Sequence, residues 1–148
     1  MVEFKKLVPK SETQDRIVHL QEQLTHKQID GALIMQNSDL YYFSGTNQKA
    51  CLYVPRQGDP LLMVRENFLW AKSESPIENI VPLKSSKEVL ELIKSNGYDL
   101  PRFMGMELDV LPTNLFLLRY EDIQQYKQHN LFNIPVIHLA KVKSTTAC

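Results

Sequence analysis

Cysteine is scarce in this chain: Cys51 and Cys148 are the only two among 148 residues. Two are too few for a disulfide framework or a cysteine zinc site, and they read as free thiols in a reducing compartment, which implies a cytoplasmic protein. Glycine is also sparse. The five present spell no G-x-G-x-x-G, no Walker loop and no G-x-S-x-G elbow, so phosphate-cradling turns and a serine nucleophile of that type are excluded. No apolar run reaches the roughly 18–20 residues that cross a bilayer. The stretch from Met1 to Pro9 is too short in apolar residues for a signal peptide. Neither sign of charge is in excess, since 17 Lys and Arg face 17 Asp and Glu. No net field therefore draws nucleic acid or an anionic membrane to the chain. What is present has ordinary globular proportions, 43% hydrophobic and 23% charged, in a length that suits one domain of about 100–200 residues.

Periodicity orders the elements. Ser11-Glu-Thr-Gln14 matches a capping box, and Ile17, Leu20 and Leu24 follow at helical spacing with Arg16, Gln21, Glu22 and Gln23 on the polar side. This predicts a helix ending near Gln28, with Leu20 and Leu24 on the packed face and Gln21 dispensable. Residues 31–36 are apolar on both faces, as in a central strand. A polar turn is expected at Asn37-Ser-Asp39, then strands over 50–54 and 60–65 joined as an antiparallel hairpin through Pro55–Asp59. A short helix over 67–72 precedes a fourth strand over 78–83, which Pro82 assigns to an edge. Ser85-Ser-Lys-Glu88 is a second capping box, opening a helix that closes at Asn96-Gly97. A fifth strand is expected over 102–107, a helix from Pro112 toward Tyr126, and a sixth strand over 134–139. The alternation describes an α/β domain: a six-stranded mixed sheet flanked by helices.

The residues that could carry chemistry do not converge. His19 and His26 lie seven apart on one helix, about 10 Å, too far for one metal, and neither they nor His129 and His138 fall in a metal-binding spacing. Cys51 sits inside an apolar strand and reads as a buried structural thiol. Glu107, Asp109 and Asp39 stand at strand ends, where a two-metal nuclease would place acids. That chemistry needs more converging carboxylates, and the first two read better as a polar loop before the helix at Pro112. Tyr41, Tyr42, Phe43, Phe68 and Trp70 suggest either a binding surface or core, with core favoured. The residues by themselves describe an α/β domain without a self-contained active site.

An ordered series of segments carries a family resemblance. Arg16-Ile-x-x-Leu20-x-x-x-Leu24 precedes Ile29-Asp-Gly-Ala-Leu-Ile34. Asn37-Ser-Asp-Leu-Tyr-Tyr-Phe-Ser-Gly45, a hairpin strand and Glu66-x-x-x-x-Ala71 come next. Gly105-Met-Glu-x-Asp109-x-Leu111-Pro112 and Lys141-Val-Lys-Ser144 close the series. Over about residues 11–144 this resembles the N-terminal domain of the creatinase/prolidase family, which includes Xaa-Pro dipeptidases, aminopeptidases P and creatinase. The resemblance implies a ribonuclease H-like core and a division of labour. Two divalent ions (Mn, Co or Zn) are held by a separate C-terminal catalytic domain, so no cofactor is expected in this chain. Residues 1–140 would form the N-terminal domain, and 141–148 would begin a linker to a catalytic domain or end a truncated chain.

The resemblance further implies a cytoplasmic, non-catalytic domain that helps form a homodimer and shapes the pocket for an Xaa-Pro peptide, with no nucleic-acid or membrane partner. In related enzymes the hairpin region of one subunit approaches its partner's active site, so Asn47, Gln48 and Lys49 are expected to contact substrate in trans. Asn47 and Gln48 offer donors and acceptors, and Lys49 a cation for a peptide carboxylate. Those residue types equally suit a solvated hairpin loop. Thr46 stands where relatives carry an aromatic, which would leave that pocket wider or wetter. The alternatives are a stand-alone protein-binding module of the pseudo-peptidase type, and a ribonuclease H-like nuclease, which would need an acid where Leu33, Ile34 and Met35 stand.

Overall fold

The computed structural model describes residues 8–106 and 136–138. Helix α1 spans Lys10–His26 and buries Thr13, Ile17, Leu20 and Leu24, one stripe at three- and four-residue spacing. Its start corrects the sequence reading. The N-cap is Pro9, whose carbonyl accepts the Glu12 and Thr13 amides, and no side chain caps the helix. Ser11 thus lies inside the first turn and the expected capping box does not form. Pro9 suits this place because its fixed φ (–60°) presents the carbonyl without need of its own N–H. At the other end Gln28 turns left-handed at φ 60°. Its amide bonds Thr25 O and the Ile29 amide bonds Leu24 O at 2.8 Å, a Schellman closure sealed by the buried pair Leu24 and Ile29.

Strand β1, Gly31–Ile34, is buried on both faces. It lies between β2 (Ala50–Pro55), antiparallel, and β5 (Met104–Met106), parallel. Helix α2, Asn37–Ser44, occupies the place where a polar turn was expected. Asn37, Ser38 and Asp39 are first-turn residues, and Leu40 and Phe43, three apart, bury the helix against the sheet. Gly45 closes it at φ 77°. An added Cβ there would also sit 3.1 Å from Pro76 Cδ, a tight contact that adds to the backbone's preference for glycine.

Strand β3, Leu61–Val64, returns antiparallel to β2, the expected hairpin. Helix α3, Phe68–Glu74, crosses over to β4, Asn79–Pro82, which pairs parallel to β3 at the sheet edge assigned to it by Pro82. A 3-10 turn over Ser86–Glu88 leads into α4, Val89–Ser95. Here the second capping box forms in a shifted version. The Lys87 amide donates to Ser85 Oγ, while the Glu88 carboxylate accepts from the Lys84 amide. β6, Val136–His138, pairs parallel to β5, giving the order β4-β3-β2-β1-β5-β6 in one mixed sheet.

Period-two alternation splits the core. Ala32, Ile34, Leu52, Val54, Leu62 and Val64 face α1 and α2. Leu33, Cys51, Tyr53, Leu61 and Met63 face α4 through Val89, Leu90 and Ile93. Cys51 is fully buried, as a structural thiol should be. The expected helix from Pro112, together with Glu107, Asp109, His129 and Cys148, lies outside the described residues.

Candidate functional site

The loop 46–49 connects the left-handed end of α2 to the start of β2, beside the N-terminal end of α3 and the segment that follows β3. Its conformation is set by one carboxylate. Oε1 of Glu74, the last residue of α3, accepts the Thr46 hydroxyl, the Asn47 amide at 3.0 Å and the Gln48 side-chain amide at 3.4 Å. The Thr46 hydroxyl in turn accepts the Gln48 amide at 3.2 Å. Asn67, left-handed at φ 57°, donates its side-chain amide to Gln48 Oε1 at 3.0 Å. Behind the loop, Ser44 Oγ accepts the Thr46 amide, and Ser75 bridges the Ser44 carbonyl to the Ile77 amide. Every member of this network other than Glu74 is neutral, so a single anion polarises a chain of donors.

The three residues singled out in the sequence therefore divide. Gln48 is half-buried and braces the loop from inside. Asn47 and Lys49 are exposed. The Asn47 side chain has no hydrogen-bond partner among the described residues, and Lys49 Nζ stands 3.7 Å from Glu66 Oε1, a loose solvent-facing pair. Thr46 is fully buried, its hydroxyl donating to Glu74. The loop thus presents an amide and an ammonium outward from a fixed backbone, groups that can accept or donate to a peptide and pair with a carboxylate. Glu74 escaped the sequence reading, which ended the short helix at residue 72, whereas α3 runs to Glu74. An acid 28 residues from Thr46 carries no local signal.

The aromatics also divide. Phe43 is buried, but Tyr42 and Trp70 are half-exposed, at 47% and 50%, which corrects their assignment to core. Tyr42 stacks its ring under the Arg16 guanidinium, 4.3 Å from the centroid, while its carbonyl accepts Arg16 Nη1 at 2.9 Å. α3 is short and buries only Ala71 fully, so Leu69 and Trp70 fall on its outer side. His19 and His26 are exposed on α1. Among the described residues no three His, Cys, Asp or Glu side chains gather where they could hold a metal ion, and no helix is long and apolar enough to cross a membrane.

Comparison with known proteins gives a consistent result. The family model described as Creatinase/Prolidase N-terminal domain matches residues 16–134. Comparison with curated proteins finds no match. Among solved structures, the chain is similar to the N-terminal domain of cytoplasmic peptidase PepQ from Mycobacterium tuberculosis H37Rv (TM-score 0.69, 17% identity, 88% of this chain and 97% of that one). It is also similar to a Creatine_N superfamily domain of a dipeptidase from Streptococcus thermophilus (TM-score 0.68, 14% identity, covering 89% and 98%). A third similar structure is the Xaa-Pro dipeptidase from Bacillus anthracis (TM-score 0.65, 16% identity). There the match covers 86% of this chain and 34% of the dipeptidase, so the chain spans about a third of that enzyme's length. At these identities the likeness establishes the fold.

Proposed function

This chain belongs to the Creatinase/Prolidase N-terminal domain family, and from that premise we propose that it is the non-catalytic N-terminal domain of a cytoplasmic Xaa-Pro metallopeptidase. In this reading the sheet is the family's six-strand, ribonuclease H-like core. The domain contributes to a homodimer and helps shape the pocket in which an Xaa-Pro peptide is held. The observation that carries the reading is the match over residues 16–134, joined to the coverage of only 34% of a dipeptidase such as that of Bacillus anthracis. The remaining two-thirds of such an enzyme is where we assign the two divalent ions. The described residues of this chain do not fit them, since no ligand set of three gathers.

Within this division, the 46–49 loop is the part of the domain that reaches a partner subunit's substrate. Asn47 supplies an amide for a peptide carbonyl and Lys49 a cation for the C-terminal carboxylate, while Gln48 and Glu74 hold the backbone that presents them. A rigid backbone suits this role because a pre-ordered loop loses little entropy on meeting a ligand.

The test is an assay of the purified chain with Xaa-Pro dipeptides in the presence of Mn²⁺, Co²⁺ or Zn²⁺. No turnover is expected. Hydrolysis that follows this protein through successive purification steps would place a catalytic site in the chain and overturn the reading.

A further inference from the structure

A cavity of about 540 Å³ opens at the end of β2 opposite the 46–49 loop, lined in part by Asp30, Tyr53, Arg56, Tyr98, Asp99 and Arg102. Tyr53 is its least expected feature. The side chain is only 1% exposed and lies across Gly31 of the neighbouring strand, so close that a Cβ on Gly31 would stand 2.4 Å from the hydroxyl oxygen. Glycine at the first position of β1 thus makes room for the phenol to reach the cavity. The ring edge meets Tyr98 at a centroid distance of 5.9 Å and 87°. Among the described residues the Tyr53 hydroxyl has no hydrogen-bond partner. A buried polar group in that condition is uncommon in a native structure and asks for an explanation.

The neighbouring groups sharpen the contrast. The Tyr98 hydroxyl is satisfied, donating to the Asp59 carbonyl at 2.7 Å and accepting from Asn79 Nδ2 at 3.1 Å. Asp30 is satisfied as well. Its Oδ2 accepts the amides of Arg102 and Phe103 at 2.9 and 3.0 Å, and Oδ1 faces Arg56 at 3.7 Å. The Asp99 carboxylate and the Arg102 guanidinium, both exposed on the cavity wall, have no ion-pair or hydrogen-bond partner among the described residues. The cavity therefore offers one buried hydroxyl, one available anion and one available cation, between walls of proline and aromatic ring. Burial and the Asp30 carboxylate push the Tyr53 phenol well above its ordinary range, so it stays protonated and able to donate.

This set selects a charge pattern. The four ionised side chains sum to zero, two Asp against two Arg. Asp30 already faces Arg56 and two backbone amides, which leaves Asp99 and Arg102 as the opposite charges without partners, so a simple anion or a simple cation would pair with one of them and face the other. A molecule carrying both charges matches both sides. We propose that this cavity is a binding site for a small zwitterion of the amino-acid or dipeptide class, with its ammonium at Asp99, its carboxylate at Arg102 and a hydrogen bond to the Tyr53 hydroxyl. The site is separate from the 46–49 loop, and the inference stands without the reading of that loop.

The test uses the 148-residue chain and two-dimensional amide NMR, following the Gly31 and Gly97 amides. The probes are L-leucine, L-proline, L-serine, L-phenylalanine and diglycine, each beside its N-acetylated and its carboxamide analogue. At least one zwitterion should saturate in the millimolar range, with both single-charge analogues weaker by roughly tenfold or more. Y53F and D99N should each weaken binding about fivefold or more while K87A, on the exposed turn before α4 and away from the cavity, leaves it unchanged, with thermal unfolding confirming that each variant is folded. Failure of all five zwitterions to saturate overturns the proposal. Equal affinity for the blocked analogues, or undiminished binding by folded Y53F and D99N, also overturns it and leaves a hydrated end of the sheet.

Discussion

Leu24 has no exposed surface and sits where α1 turns into Ile29, packed on the sheet. Truncation to Ala should cost about 2–5 kcal/mol, the range for a buried Leu whose cavity closes only in part. Gln21 is a different case from the one its polar character suggests. Its side-chain amide donates to the carbonyls of Pro55 and Gly58 at 2.9 and 2.8 Å, tying α1 to the β2–β3 turn. Gln21→Ala should therefore cost about 1 kcal/mol rather than nothing. Urea unfolding of the two variants checks both, and a Leu24→Ala midpoint equal to wild type would show that the helix face is misassigned. Tyr53 gives a pH-dependent prediction. Burial first, then Asp30, raises its phenol well above the ordinary value of 10.0, so the folded chain holds that proton more tightly than the unfolded chain. The resulting stability is complete below about pH 10 and is lost as the pH rises beyond it. Melting temperature should fall above that pH, and Y53F should flatten the fall. A remainder should persist, because the Tyr98 phenol is also raised by burial. An equally steep fall in Y53F would contradict this assignment.

At the scale of elements, the loop between α2 and β2 depends on the end of α3. Glu74→Ala removes the acceptor shared by Thr46, Asn47 and Gln48 and leaves the fully buried Thr46 hydroxyl without it. A loss of about 1–3 kcal/mol is expected, with faster hydrogen exchange at the Asn47 amide, whereas Glu74→Gln keeps an acceptor oxygen and should lose less. Unaltered exchange in Glu74→Ala would show that the loop is held by something else. This element also marks what sequence alone discloses. α1 and β1 are legible because one carries a 3.6-residue stripe and the other is apolar on both faces. The hairpin and the edge position of β4 follow from turn residues and Pro82. α2 is not legible, because Asn, Ser and Asp are the same residues whether they make a turn or the first turn of a helix. Its apolar pair, Leu40 and Phe43, is too short to show a period. The exposed side of α3 is hidden for the same reason: seven residues do not fix a phase. Within the candidate site, Asn47 and Lys49 are surface residues of a loop, visible from composition. Glu74 and the Gly31–Tyr53 contact join positions 26 to 28 and 22 residues apart, and only the fold brings them together.

For the whole molecule, one sheet separates two apolar layers and carries a polar feature at each end of β2: the braced loop at 46–49 and the cavity above Tyr53. The family to which the chain belongs gives the first of these its proposed partner, a substrate in another subunit. The most direct test is steady-state kinetics of the two-domain peptidase in which this chain is proposed to be the N-terminal domain, with Asn47 and Lys49 both replaced by Ala and Gln48 left in place to keep the loop braced. On an Xaa-Pro dipeptide the account predicts a fall in kcat/KM of roughly tenfold, the scale of one lost charge-assisted contact. Metal content and the mass measured by light scattering should stay as in the unaltered enzyme. Kinetics identical to those of the unaltered enzyme would contradict the account and reduce the loop to a surface connector.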